Sequence, residues 1–212
     1  MKPLIGSRVA APALVLAVTA ALVPYVHAQD APSVRAGTVE IGGFAGLSDG
    51  LDHFRIMGGG NVSYGVTKWL LPYGEFSYFP AIARSLDVNS GPVEQNIRYD
   101  VPLYDLHAGV HLRVPIKESK VVPYGVLGVG IIKSSFNGNA IFTFTQNGVP
   151  TTQQKAFQDQ HTDGAINFGG GLRYYVNEKF GFRLEAKVYR PFSGLYDNFV
   201  GKIEAGIFYQ IH

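Results

Sequence analysis

Two histidines four residues apart, His107 and His111, form the first pair in this chain whose types and spacing could do chemistry. On a helix that spacing would bring both imidazoles to one metal ion. On a strand, four residues span roughly 13 Å, too far for one ion without a third element. A nucleophilic centre is the second option, because serine chemistry needs a nearby His and a carboxylate to orient it. His53 with Asp49 or Asp52, and His161 with Asp159 or Asp163, lie near several serines. G-x-S-x-G is absent, and no Ser stands in a recognisable nucleophile context. Gly58-Gly59-Gly60 and Gly169-Gly170-Gly171 open no helix and precede no Lys-Ser/Thr, so neither reads as a phosphate loop. The chain has no Cys, which removes thiolate nucleophiles, disulfides, Cys-ligated zinc and iron–sulfur clusters. An enzyme is not expected, nor a metal or cofactor.

The other ionisable residues obey a period of two. Asp105, His107, His111 and Arg113 share one face of their segment, opposite Leu106, Ala108, Val110 and Leu112. Arg183, Glu185 and Lys187 oppose Phe182, Leu184, Ala186 and Val188, and Lys202, Glu204 and Gln210 oppose Ile203, Ala205, Ile207, Tyr209 and Ile211. Glu40, Glu75 and Arg173 alternate with apolar neighbours in the same way. In a sandwich or lipocalin-type barrel in water, the charged face would meet solvent. Three features argue for the inverse, porin-like arrangement. Acids and bases are matched on these faces, as an enclosed interior requires. The faces carry Gly42, Gly46, Gly65, Gly109, Gly169, Gly171 and Gly206, which suits a cramped lumen. Aromatics gather near segment ends (Trp69, Tyr73, Tyr78, Phe79, Tyr99, Tyr104, Tyr124, Tyr175, Phe180, Tyr189, Phe199, Tyr209), as girdles at two lipid–water interfaces would. Glu40, Glu75, Asp105, His107, His111, Arg113, Arg173, Arg183, Glu185, Lys187, Lys202 and Glu204 are therefore expected to form a structural polar network that plugs the lumen.

The elements that would position these residues are eight segments of roughly ten residues. They are 38–47, 58–66, 70–79, 99–114, 121–133, 164–176, 180–190 and 199–211. Short polar turns at 67–68, 116–120 and 177–179 alternate with longer connections at 48–57, 80–98, 134–163 and 191–198. This alternation describes an all-β, eight-stranded antiparallel up-and-down barrel. In a transmembrane barrel the short turns face the periplasm and the long loops face outside. Loops 80–98 and 134–163 are polar and could meet an external ligand by hydrogen bonding.

Residues 1–28 read as an export leader: Lys2 and Arg8, an apolar run from Val9 to Val23, Pro24, then Val26-His27-Ala28 as a small-residue cleavage site. A short segment 29–36 follows, and the barrel occupies 37–212. The whole chain holds 18 bases and 16 acids, and the leader carries two of the bases, so the mature chain is formally neutral. A nucleic-acid role built on basicity is excluded. The composition, 46% apolar and 13% aromatic with 16% charged, fits a surface that meets lipid.

The phrases Val39-Glu40-Ile41-Gly42-Gly43, Pro72-Tyr73-Gly74-Glu75-Phe76 and Pro123-Tyr124-Gly125-Val126-Leu127-Gly128-Val129-Gly130 resemble the small outer-membrane β-barrel proteins of Gram-negative bacteria, of the OmpA/OmpX type. The resemblance covers residues 37–212. It implies an integral outer-membrane barrel, monomeric, in contact with outer-membrane lipid and lipopolysaccharide. It also implies that Glu204, Gly206, Tyr209 and Ile211 serve as the terminal-strand signal read by the barrel-assembly machinery. Ile in place of a terminal Phe, and the extra His212, depart from that pattern. A structural or adhesion-like role through the long loops is expected. The alternatives are a lipid A-modifying barrel enzyme and a soluble periplasmic ligand-binding barrel.

Overall fold

Period-two alternation over most of the chain leaves β-structure as the one regular solution, and strands of this polarity must close on themselves to hide their edges. The computed structural model describes residues 35–49, 54–90, 93–117, 119–146, 149–192 and 199–211. The expected leader and nearly all of segment 29–36 lie outside these residues. Ten strands follow in order: β1 (Val39–Asp49), β2 (Arg55–Tyr64), β3 (Leu70–Phe79), β4 (Ala83–Ser90), β5 (Val93–Asp100), β6 (Leu103–Arg113), β7 (Val121–Gln146), β8 (Val149–Tyr175), β9 (Phe180–Pro191) and β10 (Val200–Ile211). Eight of them, in the order β1-β2-β3-β6-β7-β8-β9-β10, form a ring of antiparallel pairs that closes between β10 and β1. Val39 pairs with Ile211 and Asp49 with Gly201 across that closure.

At one end the turns are tight. The Val66 and Thr67 amides donate to the Leu70 carbonyl at 3.1 and 3.3 Å, and the Thr67 hydroxyl accepts the Leu70 amide at 3.0 Å. Asn177 Oδ1 accepts the Lys179 and Phe180 amides at 2.9 and 2.8 Å, the Asx geometry that reverses a chain in few residues.

At the other end the expected loops 80–98 and 134–163 are a correction: nearly all of these residues are strand. β7 and β8 run on together beyond the ring, with Gln146 paired to Val149, and β5 pairs with β7 from Asn137 to Phe144. β4 in turn pairs with β5. The result is a four-stranded extension, β4-β5-β7-β8, standing on one side of the barrel mouth. Its residues Asn139, Thr152, Gln153 and Gln154 are exposed whichever face they take, so no apolar stripe marked it. The expected single segment 99–114 is also corrected. Pro102 lacks an amide and Val101 turns into the barrel, so the strand breaks between β5 and β6.

Inside and outside follow strict alternation. Ile41, Val62, Leu106, Leu127, Val129, Leu184, Ile203 and Ile207 are all exposed on the outer surface. Where the ring strands pair around the barrel, Asp49, Lys133 and Arg190 are the charged outward positions among the described residues, and each sits at the extension end. The girdle reading needs correcting too. Trp69, Tyr78, Tyr104, Phe199 and Tyr209 are exposed on the outside, but Tyr73, Phe79, Tyr124, Tyr175 and Tyr189 are buried within the barrel. Residue type near a strand end did not reveal which face it took; parity with Glu75, Arg173 and Lys187 does.

Candidate functional site

The barrel interior is built from alternate residues of all eight ring strands, and every one of the twelve network residues named from the sequence is buried there. With Arg55 and Asp163, the buried acids among the described residues, Glu40, Glu75, Asp105, Asp163, Glu185 and Glu204, equal in number the buried bases Arg55, Arg113, Arg173, Arg183, Lys187 and Lys202. This matching is what burial of charge demands, since an unpaired ion in such surroundings costs several kcal/mol.

The charges are arranged in tiers. Nearest the tight turns, the Glu40 carboxylate receives Arg173, Gln210 Nε2 at 2.9 Å and Arg113 at 3.5 Å. Arg113 also donates to the Thr67 carbonyl at 2.9 Å, tying the plug to the β2–β3 turn. Arg173 lies 2.9 Å from His111 Nδ1, and its guanidinium stands over the Tyr124 and Phe208 rings at 4.9 and 5.2 Å.

In the middle tier, Lys187 Nζ reaches Glu75 at 2.6 Å and Glu185 at 2.5 Å, and Arg183 donates to Glu204 at 3.0 Å. The Tyr124 hydroxyl donates to Glu185, and the Tyr73 ring stacks on His111 with centroids 4.2 Å apart. Nearer the extension, Lys202 Nζ lies 2.9 Å from Glu75, 2.7 Å from Ser77 Oγ and 3.4 Å from Asp105. Asp105 also holds His107. Phe44, Met57, Phe79, Val101, Leu103, Tyr189 and Val200 cap this stack with an apolar layer, which Arg55 crosses to reach the Val101 carbonyl at 2.7 Å.

Register explains the crowding. β9 and β10 set Glu185 directly opposite Glu204 and Lys187 opposite Lys202, like against like. Such pairs repel in isolation, so each is compensated diagonally, and the lysine pair also by Glu75 from across the lumen. Room for the aromatics comes from glycine. A Cβ on Gly128 would lie 2.7 Å from the Tyr73 hydroxyl, and one on Gly171 would lie 2.7 Å from Tyr124 Cζ.

The histidine pair behaves as strand spacing dictates: His107 is held by Asp105, His111 by Arg173 and Tyr73, and they share no partner. Glu75, Glu185 and Glu204 bring ligand atoms within 4.8 Å of one another, a grouping their separation in sequence concealed. Arg183, Lys187 and Lys202 already serve those carboxylates. His161 Nε2 lies 3.0 Å from Asp163, but the neighbouring Ser134 hydroxyl bonds to the His161 carbonyl at 3.5 Å rather than to its ring. His53 and Asp52 lie outside the described residues. Of the terminal-strand positions, Glu204 and Gly206 face the lumen, whereas Tyr209 and Ile211 are exposed on the outer surface.

Arg55 and Asp163 were missed because 48–57 and 134–163 read as loops. Counting back by twos from Asn61 through Gly59 and Met57 would have placed Arg55 inward. In the sequence, the Asn147-Gly148 dipeptide is the kind of turn signal from which a hairpin over 134–163 could have been read.

A lumen of paired charges inside an apolar outer wall defines an integral membrane barrel. Residues 11–206 match the family described as the outer membrane protein beta-barrel domain, and the chain belongs to that family. It is accordingly an integral protein of the cell outer membrane, which sets aside the soluble periplasmic alternative. Among solved structures, the chain is similar to a major outer membrane protein from Thermus thermophilus, at 12% identity and TM-score 0.50, covering 84% of this chain and 100% of that one. It is also similar to Ail, the attachment invasion locus protein of Yersinia pestis, solved in complex with the heparin analogue sucrose octasulfate (17% identity, TM-score 0.49, 83% and 99% covered). The N-terminal β-barrel domain of Pseudomonas aeruginosa OprF is a third (16%, 0.48, 83% and 98%). At these identities the likeness concerns the fold alone. No curated protein matches the chain.

Proposed function

We propose that this chain is a non-enzymatic outer-membrane barrel whose plugged interior stabilises it and whose four-stranded extension meets partners outside the cell. The observation that carries the reading is the extension itself. β7 and β8 continue in register well past the ring, with β5 and β4 paired onto them, which is more surface than closing a barrel needs. One of its faces holds a depression of about 910 Å³ lined with polar side chains including Asp87, Asn96, Arg98, Asn137 and Asn139. Amides, a guanidinium and carboxylates at such a surface favour hydrogen-bonded recognition over apolar insertion.

Among the described residues the catalytic alternative rests on the His161–Asp163 contact, with the Ser134 hydroxyl turned to a backbone carbonyl. Residues 1–28 are proposed to be removed on export, and Glu204, Gly206, Tyr209 and Ile211 to guide assembly. The test is a chain in which 84–99 and 136–159 are replaced by short turns. It should keep the shift in gel mobility between unboiled and boiled samples while losing the attachment of expressing cells to glycan- or protein-coated surfaces. Lipid A mass spectra should be unchanged by expression of the wild-type chain. New or missing acyl chains, abolished by His161→Ala, would establish an enzyme instead.

A further inference from the structure

β8 beyond Gly164 has β7 on one side and, among the described strands, none on the other, because β9 stops pairing at Ala165. Residues Thr152–Gln160 are exposed throughout. A long bare edge of this kind invites another strand. The Gly164 carbonyl accepts the Phe192 amide at 2.9 Å, so the even-numbered backbone groups of β8 point toward this edge. The register with β7 is unbroken from Val149 to Tyr175, so the same parity holds along the whole extension.

The edge sequence is self-complementary when a second copy is laid antiparallel about Phe157. In that register Thr152 meets Thr162, Gln153 meets His161, Gln154 meets Gln160, Lys155 meets Asp159, Ala156 meets Gln158 and Phe157 meets itself. Each match occurs twice by symmetry except the central one. The even residues supply the ladder hydrogen bonds, and the odd residues place Lys155 against Asp159 and Phe157 against Phe157 on one face. Pro150, with no amide to offer, stands opposite Gly164, whose carbonyl is already taken, so the ladder ends where the match ends. The Gln160 amide, now held by Asp159 Oδ1 at 2.9 Å, is released as Asp159 turns to the partner's lysine.

We propose that this edge is a homotypic docking strand, pairing antiparallel with a second copy of the chain in a facing membrane. This rests on the surface-interaction reading above and names its partner, and it departs from the expected monomer. The twofold axis runs through the sheet and reverses strand direction, so the two barrels point away from each other. Roughly 23 Å of strand separates Phe157 from Gly164, enough to lift the contact clear of the lipid surface.

The full chain in phosphatidylcholine vesicles is the sample, and vesicle clustering by light scattering is the readout. Wild-type vesicles should cluster. Lys155→Asp sets acid against acid at both charge pairs, and Asp159→Lys sets base against base, so each should cluster at least about tenfold more slowly. Mixing the two variant vesicle populations restores both pairs and should restore clustering. The chain has no other Cys, so Phe157→Cys should cross-link to a dimer while Gln154→Cys, whose copies lie roughly 20 Å apart, should not.

Absence of wild-type clustering, indifference to both charge variants, or failure of the mixture would each overturn the proposal. If wild-type vesicles stay apart while expressing cells still attach to coated surfaces through the extension, only the identity of the partner falls. If the chain lacking 84–99 and 136–159 matches wild type in both assays, the surface reading falls with it.

Discussion

Glu185 shows how closely one residue is committed in this barrel. It accepts from Tyr124, pairs with Lys187 at 2.5 Å and lies 3.6 Å from His111 Nε2, all without solvent. Glu185→Ala leaves Lys187 sharing Glu75 and Glu204 with Arg183 and Lys202, one base in excess. Breaking one side of a buried pair costs about 3–5 kcal/mol, and urea unfolding in lipid vesicles should read that loss. Lys155→Ala, on the exposed extension, should move the same midpoint by under about 1 kcal/mol. At this scale the charged residues were the most legible part of the chain, because each stands alone between apolar neighbours. Tyr73, Tyr124 and Tyr189 were not: an aromatic ring suits a girdle and a lumen equally, and only its parity with a charged neighbour separates the two.

At the scale of elements, the ring strands were legible where one face meets lipid. Leu184 and Ile203 alternate with Arg183, Glu185, Lys202 and Glu204, so the pattern fixes both the strand and its orientation. The extension defeats that logic. Residues such as Asn139, Thr152 and Gln154 meet water on either face, and the periodicity that identifies a strand disappears even though the backbone pairing continues. Extent was therefore misjudged while the number of ring strands was not. The face assignment carries its own test. Leu184 lies midway along β9, paired with Leu172 and Ala205 and exposed on the outer wall. Leu184→Arg should cost about 2–4 kcal/mol in a bilayer, the cost of a cation at the midplane. A silent substitution in vesicles would turn the barrel inside out. Cutting back 84–99 and 136–159 together, by contrast, should leave ring stability nearly unchanged, since the ring pairings of β3, β6, β7 and β8 lie below the deletion.

For the molecule as a whole, the balance among the described residues of six buried acids against six buried bases decides between a plug and a conduit. Eight strands enclose an interior that side chains alone can fill, and here they are arginines, lysines and tyrosines braced against carboxylates through successive tiers. The apolar layer of Phe44, Met57, Phe79, Leu103 and Val200 closes the end below the extension, and Val122, Tyr175 and Phe208 form a second apolar cluster toward the tight turns. An ion crossing this lumen would have to displace a paired charge and then pass both layers. Planar bilayers doped with the wild-type chain should therefore show no steady conductance steps. Lys202→Ala removes the contact that joins Glu75, Ser77 and Asp105 and leaves surplus acid in the upper tier. It should permit brief, cation-favouring openings if the plug is held by its ion pairs. Stable steps from the wild-type protein would mean that the tiers part to let water through, and the interior would then have to be read as a gated path.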